Sequence, residues 1–308
     1  AMHSAKLYIN GGGSLIQDVT SRRSLWFYLH NISAAKRAGC KVQMYGCGIG
    51  PVTRESHRRL AAKVLNRHVD IITLREPDSL AELQAMGVTK PEILLTADPA
   101  LILRKAPEDE TDSVLLRAGI PPHGKYLCFA LRRWKGFEEK APIFGAAAEY
   151  AYRTYGLTPI FAAVEKHLDP GAGQLAARGL SVPHYFLDDA GGAGTIIGAL
   201  SRMEMVVSMR LHALIFSAGQ GIPLAGVVYD PKVSAFLRYI GQELFVDLED
   251  LTEANLRHMI DRCVAQARDP GAQAAAVARL QEMEQGNVRA ARRLLGLPET
   301  PAEKAPNP

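Results

Sequence analysis

The sequence has few cysteines, few aromatic residues and no long apolar run. Its four cysteines, Cys40, Cys47, Cys128 and Cys263, form no CxxC pair and fit no zinc-ligand spacing. Reduced thiols in an intracellular, cytoplasmic protein are therefore expected. No apolar run approaches the ~18 residues of a membrane span, and Ala1-Met2-His3-Ser4 lacks the pattern of a signal peptide. Aromatic residues make up 7% of the chain and do not interleave with a basic stripe, so a nucleic-acid partner is not expected. No Gly-Lys-Ser/Thr follows a glycine-rich turn and no GxGxxG is present, which excludes a Walker loop and the dinucleotide fingerprint. No DxD-like motif follows a strand, so no metal is implied. Charge is nearly balanced, 36 Lys+Arg against 32 Asp+Glu. The small positive excess suits an anionic small substrate or an anionic membrane surface as well as scatter about neutrality.

The pattern that is present alternates strands with amphipathic helices. Strands are expected at 5–10, 41–46, 69–74 and 92–95, with helices at 21–38, 53–66 and up to about 86. Glycine-rich or Pro-containing turns follow the strands, the signature of parallel βαβ units. Residues 104–124 break the rhythm with charge and with Pro107, Pro121 and Pro122. Alternation then resumes, with strands at 126–131, 157–163, 204–207 and 223–228. Helices are expected at 137–155, 171–178, 191–201, 210–219, 231–240 and 252–268. The expected organisation is an N-terminal Rossmann-like domain over 1–108, a linker at 109–124 and a second Rossmann-like domain over 125–270. A C-terminal helix at 271–297 and a disordered tail at 298–308 complete it. The fold class is α/β, with ligands beyond the carboxyl ends of the strands and a site expected in a cleft between the domains.

Candidate chemistry sits at those strand ends. Gly11-Gly12-Gly13-Ser14 follows the first strand, where glycine lets backbone approach a ligand; an ordinary turn is the alternative. Arg75 ends the strand at 69–74 and offers a fork for carboxylate or phosphate; a salt bridge to Glu76 or Asp78 is the alternative. In Ser208-Met209-Arg210-Leu211-His212, a strand gives way to an apolar helix. This puts a guanidinium and a group titrating near neutrality in its first turn; the alternative for His212 is a core hydrogen bond. Tyr229-Asp230-Pro231-Lys232 brings a lysine to the next strand end. Arg132 and Arg133 end the strand at 126–131, one of them within reach of the cleft unless both lie on a solvated face. Thr96-Ala97-Asp98-Pro99 reads as a turn or as a source of a ligand. The set describes a site for a small polyanion with one proton-transfer group.

Six segments occur in one order: Gly11-Gly12-Gly13-Ser14-Leu15-Ile16-Gln17-Asp18, Gly48-Ile49-Gly50-Pro51, Leu74-Arg75-Glu76-Pro77-Asp78-Ser79, Thr96-Ala97-Asp98-Pro99, Ser208-Met209-Arg210-Leu211-His212-Ala213 and Tyr229-Asp230-Pro231-Lys232-Val233. Together they resemble the polysaccharide pyruvyl transferase family, most of all its CsaB-like branch, from about residue 7 to about 290. The resemblance implies a GT-B-like fold and phosphoenolpyruvate as a substrate, with no cofactor. It also implies a lipid-linked saccharide acceptor bearing N-acetylmannosamine, a precursor of the cell-wall polymer that anchors S-layers, and a 4,6-ketal product. It carries His212, Arg75 and Lys232 over as catalytic and adds Arg210; Arg132, from its strand-end position, is expected to join Arg75, Arg210 and Lys232 around the donor. Gly11, Gly12, Gly13 and Ser14 fall on the acceptor side. Whether His212 acts as acid or base stays open. Relatives carry a strand and a Gly-Asp-Glu turn roughly sixty residues before the triple glycine, and this sequence does not contain that segment. Two rival readings are a GT-B glycosyltransferase using a nucleotide sugar and a non-catalytic sugar- or anion-binding protein. Peripheral contact with the inner membrane face is a further expectation, through Arg257, Arg262, Arg268, Arg279, Arg289, Arg292 and Arg293; a solvated helix face is the alternative.

Overall fold

The computed structural model describes residues 4–19, 21–267 and 271–298. The chain divides into two compact units, residues 1–99 joined by 279 onward, and Ala100–Ala278.

The first unit is built on β1 (Leu7–Gly11), β2 (Ser14–Ile16), α1 (Arg22–Arg37), β3 (Lys41–Ile49), α2 (Glu55–His68), β4 (Ile71–Leu74), α3 (Pro77–Ala85) and β5 (Glu92–Leu95). The strands are parallel in the order β1-β3-β4-β5, and β2 continues beside the far half of β3. Each step moves one strand in the same direction, so right-handed crossovers place α1, α2 and α3 on one face. The sequence encodes that face by spacing. Leu25, Leu29 and Ile32 of α1 and Ala61 and Leu65 of α2 recur every three or four residues and are buried against Val42, Met44 and Leu74. Gln43 and Tyr45 point to the opposite face of β3. They meet α11 (Gly271–Leu294), whose residues from Arg279 onward belong to this unit. There Gln43 Nε2 donates to the Asn287 carbonyl at 2.9 Å.

Asp18 fixes the entry to α1 and α2. Its carboxylate accepts from the Thr53 amide (2.8 Å), the Thr53 hydroxyl (3.0 Å), the Arg54 amide (3.2 Å) and His57 Nδ1 (2.7 Å). Burial opposes its ionisation, but these bonds outweigh burial and hold its pKa down at about 2. A lowered carboxyl pKa stabilises the fold above the unfolded value near 4, and that contribution is lost as pH falls toward 2.

The second unit contains α4 (Glu108–Arg117), β6 (Tyr126–Ala130), α5 (Phe137–Tyr155), β7 (Thr158–Ala162), α6 (Pro170–Ala176), β8 (Tyr185–Leu187), α7 (Ala193–Leu200), β9 (Met205–Ser208), α8 (Leu211–Gly219), β10 (Leu224–Val228), α9 (Pro231–Tyr239), β11 (Phe245–Asp247) and α10 (Glu253–Gln266). Its sheet is wholly parallel, in the order β11-β10-β9-β6-β7-β8. The chain starts in the middle at β6, winds outward to β8, returns, and winds the other way to β11. One face packs on α5, α6 and α10 through Phe129, Phe144, Phe161 and Ile260, the other on α4, α7 and α8 through Leu115, Ile197 and Phe216.

Two boundaries differ from the sequence expectation. The units change at Pro99/Ala100 rather than at 108. The stretch 109–124, expected as a linker, carries α4, with Thr111, Val114 and Leu115 buried. Its acids misled the reading. Glu108, Asp109 and Glu110 fill the first turn, where the helix dipole favours negative charge, and Pro107 precedes them as the cap. Thr111 abuts Gly198 of α7, where a Cβ would lie 2.2 Å from its Oγ1. The strands β2, β8 and β11 were not anticipated; at three residues each they are too short for periodicity to show. The expected disordered tail lies outside the described residues from 299 onward.

Asp18→Asn should lower stability at pH 7 by about 1–3 kcal/mol, and urea titrations should show the gap to the parent closing as pH drops from 5 toward 2. Leu115→Ala should cost about 2–4 kcal/mol by chemical denaturation, where a linker residue would cost under ~0.5 kcal/mol.

Candidate active site

The second sheet reverses direction between β6 and β9, and such switch points open a crevice at the carboxyl edge. Arg132 follows β6, Ser208 ends β9 with Met209–His212 after it, and Tyr229–Lys232 follow β10, three adjacent strands. Ser208 stitches the edge together, because its hydroxyl donates to the Ala130 carbonyl (3.1 Å) and accepts from the Arg210 amide (2.8 Å). Arg210 is the residue before the first turn of α8, and His212 is in that turn. Leu211 and Ala213–Ala218 are buried, whereas His212 is exposed, its ring 5.9 Å from that of Phe216.

The cations at this edge differ sharply in their partners. Arg210 Nε lies 2.9 Å from both carboxylate oxygens of Asp169, and its Nη2 also donates to Asp169. Asp169 is buried and also accepts the Val164 and Glu165 amides at 3.1 and 2.8 Å, which ties the turn after β7 to the turn after β9. Breaking a buried, hydrogen-bonded pair of this kind costs ~3–5 kcal/mol. Lys232 Nζ lies 3.1 Å from Asp230 Oδ2, with both side chains about one-third exposed. An ion pair so placed is worth only ~0–1 kcal/mol and yields readily to a ligand. Arg132 has no carboxylate among the described residues. Its Nη1 donates to the Tyr229 hydroxyl at 3.0 Å. Its guanidinium carbon stands 5.1 Å from the ring centre of Trp134 and 5.3 Å from that of Tyr229. Those two rings are 5.0 Å apart, and Lys232 Nζ is 5.9 Å from the Tyr229 ring. Arg133 turns away to pair with Glu138 on the surface. Of the candidate cations here, Arg132 and Lys232 are therefore the ones with charge to offer an anion.

The other candidates belong to the first unit. Gly11–Ser14 does not form a loop at a helix start. Gly12 and Gly13, with φ of 73° and 68°, kink one strand into two, β1 and β2, along β3. The Gly12 amide is used by the Tyr45 carbonyl (3.1 Å), and the Gly13 carbonyl accepts from Gly48 (2.9 Å). Arg75 is buried, 5% exposed. It donates to Glu76 (2.7 Å), Asp98 (2.9 Å) and the Ser14 hydroxyl (3.2 Å), whereas Asp78 is not a partner. Burial opposes the Arg75 charge, but the two carboxylates outweigh it and raise its pKa. Gly48 leaves room for this cluster, since a Cβ there would meet Glu76, Ser14 and Arg75 within 3.0 Å.

Sequence reasoning missed Asp169 and gave no role to Trp134 or Tyr229, although both stand in the strand-end segments it singled out. Asp169 precedes a short helix and carries no motif; Trp134 sits beside two arginines, a signal that was available. A hollow of about 500 Å³ beside α4 and α7 is lined by Asp109, Glu110, Arg117 and Thr195, none of them a candidate, and its acids suit a polyanion poorly. The basic run over 257–293 is divided. Arg257 and Arg262 lie on α10 of the second unit, and Arg279, Arg289, Arg292 and Arg293 on the α11 segment of the first; Arg268 is outside the described residues. Within their units, Arg257 pairs with Glu253 and Arg293 with Glu92.

Among solved structures, the chain is similar to Anabaena HepE in complex with UDP (14% identity, 96% of this chain, 80% of that one, TM-score 0.61). It is also similar to the Neisseria meningitidis UDP-GlcNAc 2-epimerase bound to UDP-GlcNAc (10% identity, 94% and 76%, TM-score 0.59) and to a Staphylococcus aureus MnaA–UDP structure (10% identity, 97% and 79%, TM-score 0.61). At such identities the likeness concerns the fold, which is α/β with parallel sheets and GT-B-like. No curated protein matches the sequence. The model of one family, described as polysaccharide pyruvyl transferase, matches residues 2–231, a span that takes in the kinked glycine strand, the Arg75 cluster and the β6-β9-β10 edge. The chain is a member of the polysaccharide pyruvyl transferase family, and hence of an enzyme family.

Proposed function

We propose that the chain transfers the pyruvyl group of phosphoenolpyruvate to a diol of a saccharide, as a CsaB-like enzyme acting on an N-acetylmannosamine of a lipid-linked precursor. The observation that carries the donor assignment is Arg132. It is a guanidinium at the switch point, oriented by the Tyr229 hydroxyl and by the rings of Trp134 and Tyr229, and unmatched by a carboxylate among the described residues. Phosphate and carboxylate supply the anion that such a fork binds. Lys232 joins by exchanging Asp230 for the donor. Arg210 keeps Asp169 and contributes its remaining amino group, Nη1. In this reading Arg75 organises the first unit, where Ser14 and the glycine kink face the acceptor.

The reaction needs one proton on C3 of the donor and one on the departing phosphate. Protonation of C3 makes C2 oxocarbenium-like; a sugar hydroxyl attacks C2, phosphate leaves, and the second hydroxyl closes the ketal. The two hydroxyl protons end on the new methyl group and on phosphate, so the balance closes without a cofactor. Arg132 and Lys232 offset the charge that gathers on the leaving phosphate. His212, exposed at the same edge, relays a proton.

Acceptor-dependent release of phosphate from phosphoenolpyruvate, with a synthetic diphospho-disaccharide ending in N-acetylmannosamine, tests the reading. Arg132→Ala should raise the KM for phosphoenolpyruvate about 10–100-fold with an unchanged melting temperature, whereas Arg210→Ala should lose ~3–5 kcal/mol of stability. His212→Ala should lower kcat about 10²–10⁴-fold with donor binding kept; near-normal turnover would remove it from the chemistry. The nucleotide-sugar reading draws on the solved UDP complexes of HepE and MnaA. Tight UDP binding by titration, with no phosphate release from phosphoenolpyruvate, would favour it.

A further inference from the structure

The outer surface of α1 combines aromatic exposure with unbalanced positive charge. Trp26 is 55% exposed and Phe27 60%, and Val19, just before the helix, is 60% exposed. Arg22, Arg23 and His30 are also exposed. At 100° per residue, positions 22, 23, 26, 27 and 30 fall within an arc of about 140°, so they form one continuous stripe. Leu25, Leu29 and Ile32 occupy the adjoining, buried side. No acidic residue occurs in α1. The neighbouring helix α2 extends the charge with Arg54 at its cap and Arg59 and Lys63 on its surface, against one exposed acid, Glu55. Arg22, Arg23, Arg54, Arg59 and Lys63 have no ion-pair partner among the described residues. Trp26 lies edge-on to His57, which Asp18 holds, so the stripe is mounted on a fixed base. Because α1 starts where β2 ends, its first turns lie at the carboxyl edge of the first sheet, the edge that carries Arg75 and Asp98.

We infer that this α1–α2 face docks the protein on an anionic lipid bilayer, with Trp26, Phe27 and Val19 in the headgroup layer and the arginines on lipid phosphates. Aromatic rings with apolar bodies and polar edges favour that depth, and an amphipathic face rich in arginine is drawn to anionic lipid. Charge argues against the other occupant, a second copy of the chain. A symmetric contact would set arginine against arginine with only Glu55 to offset them. The face differs from the divided basic run at 257–293, where Arg257 and Arg293 already hold carboxylates.

Vesicle co-sedimentation of the full chain tests this with neither donor nor acceptor present, so it stands apart from the pyruvyl-transfer reading. Vesicles of phosphatidylglycerol and phosphatidylcholine should retain the protein, and pure phosphatidylcholine vesicles should retain about tenfold less. Trp26→Ala/Phe27→Ala and, separately, Arg22→Glu/Arg23→Glu should each cut partitioning about tenfold or more at an unchanged melting temperature. The arginine-dependent part should fall with added salt. Equal retention by neutral vesicles, no retention by anionic ones, or retention untouched by both double variants would overturn the proposal. So would a concentration-dependent dimer in sedimentation velocity that Trp26→Ala/Phe27→Ala abolishes, which would assign the face to a second copy.

Discussion

A guanidinium taken out of water must be matched by a carboxylate, and that requirement organises both sheet edges. In the first unit Arg75 is enclosed by Glu76 and Asp98, with Ser14 on its third side. In the second, Arg210 is held by Asp169, whose remaining capacity is taken up by two backbone amides. Each pair joins turns that follow different strands, β4 to β5 in one case and β7 to β9 in the other. The strand ends are thereby fixed relative to each other within a unit, and side chains on the same turns inherit that order. Arg132 and Lys232 work differently: aromatic rings, a hydroxyl and a weak surface pair leave their charge available. A basic residue at a strand end is thus either a strut or a ligand for an anion, and its carboxylate partners decide which.

That distinction marks the limit of what the sequence could reveal. The alternation of apolar strands with amphipathic helices made the α/β class and most element positions legible, because periodicities of 2 and 3.6 are local properties. The residues at strand ends were legible for the same reason. Of their carboxylate partners, the adjacent Glu76 was legible as a partner of Arg75, and the distant ones were not. Asp98 is 23 positions from Arg75, and Asp169 is 41 from Arg210; no spacing rule connects such pairs. The triple glycine shows the same limit from another side. Its composition suggested a backbone that a ligand could approach, but the neighbouring strand β3 uses the Gly12 amide and the Gly13 carbonyl. The positive φ values serve a kink inside a sheet, where only glycine bends the chain without strain.

The charged stretch 108–117 failed for a related reason. Composition alone reads acids and prolines as a connector, whereas their order, a proline and then three acids in the first turn followed by Val114 and Leu115, is that of a capped amphipathic helix. The basic run at 257–293 shows the same point, since a count of arginines over a window does not reveal that α10 and the segment of α11 from Arg279 onward belong to different units. Position within an element carries more information than the content of a segment.

The C-terminal helix shows how far this reaches into the candidate acceptor side. Asn287 donates to the Ala97 carbonyl (3.0 Å), accepts from the Thr96 hydroxyl (2.9 Å), and offers its own carbonyl to Gln43. It therefore bonds to both residues that immediately precede Asp98, the carboxylate that holds Arg75. Gly46 and Gly286 permit the close approach: a Cβ at Gly46 would meet Pro99 at 2.5 Å, and one at Gly286 would meet Thr96 at 2.9 Å. A helix nearly two hundred residues downstream of the strand end thus sets the path of the turn from which Asp98 projects. The buried arginine, its carboxylate, the turn that bears the carboxylate and the helix that holds the turn form one chain of contacts within the unit. Each link is needed because a misplaced carboxylate would leave a buried guanidinium without its counter-charge.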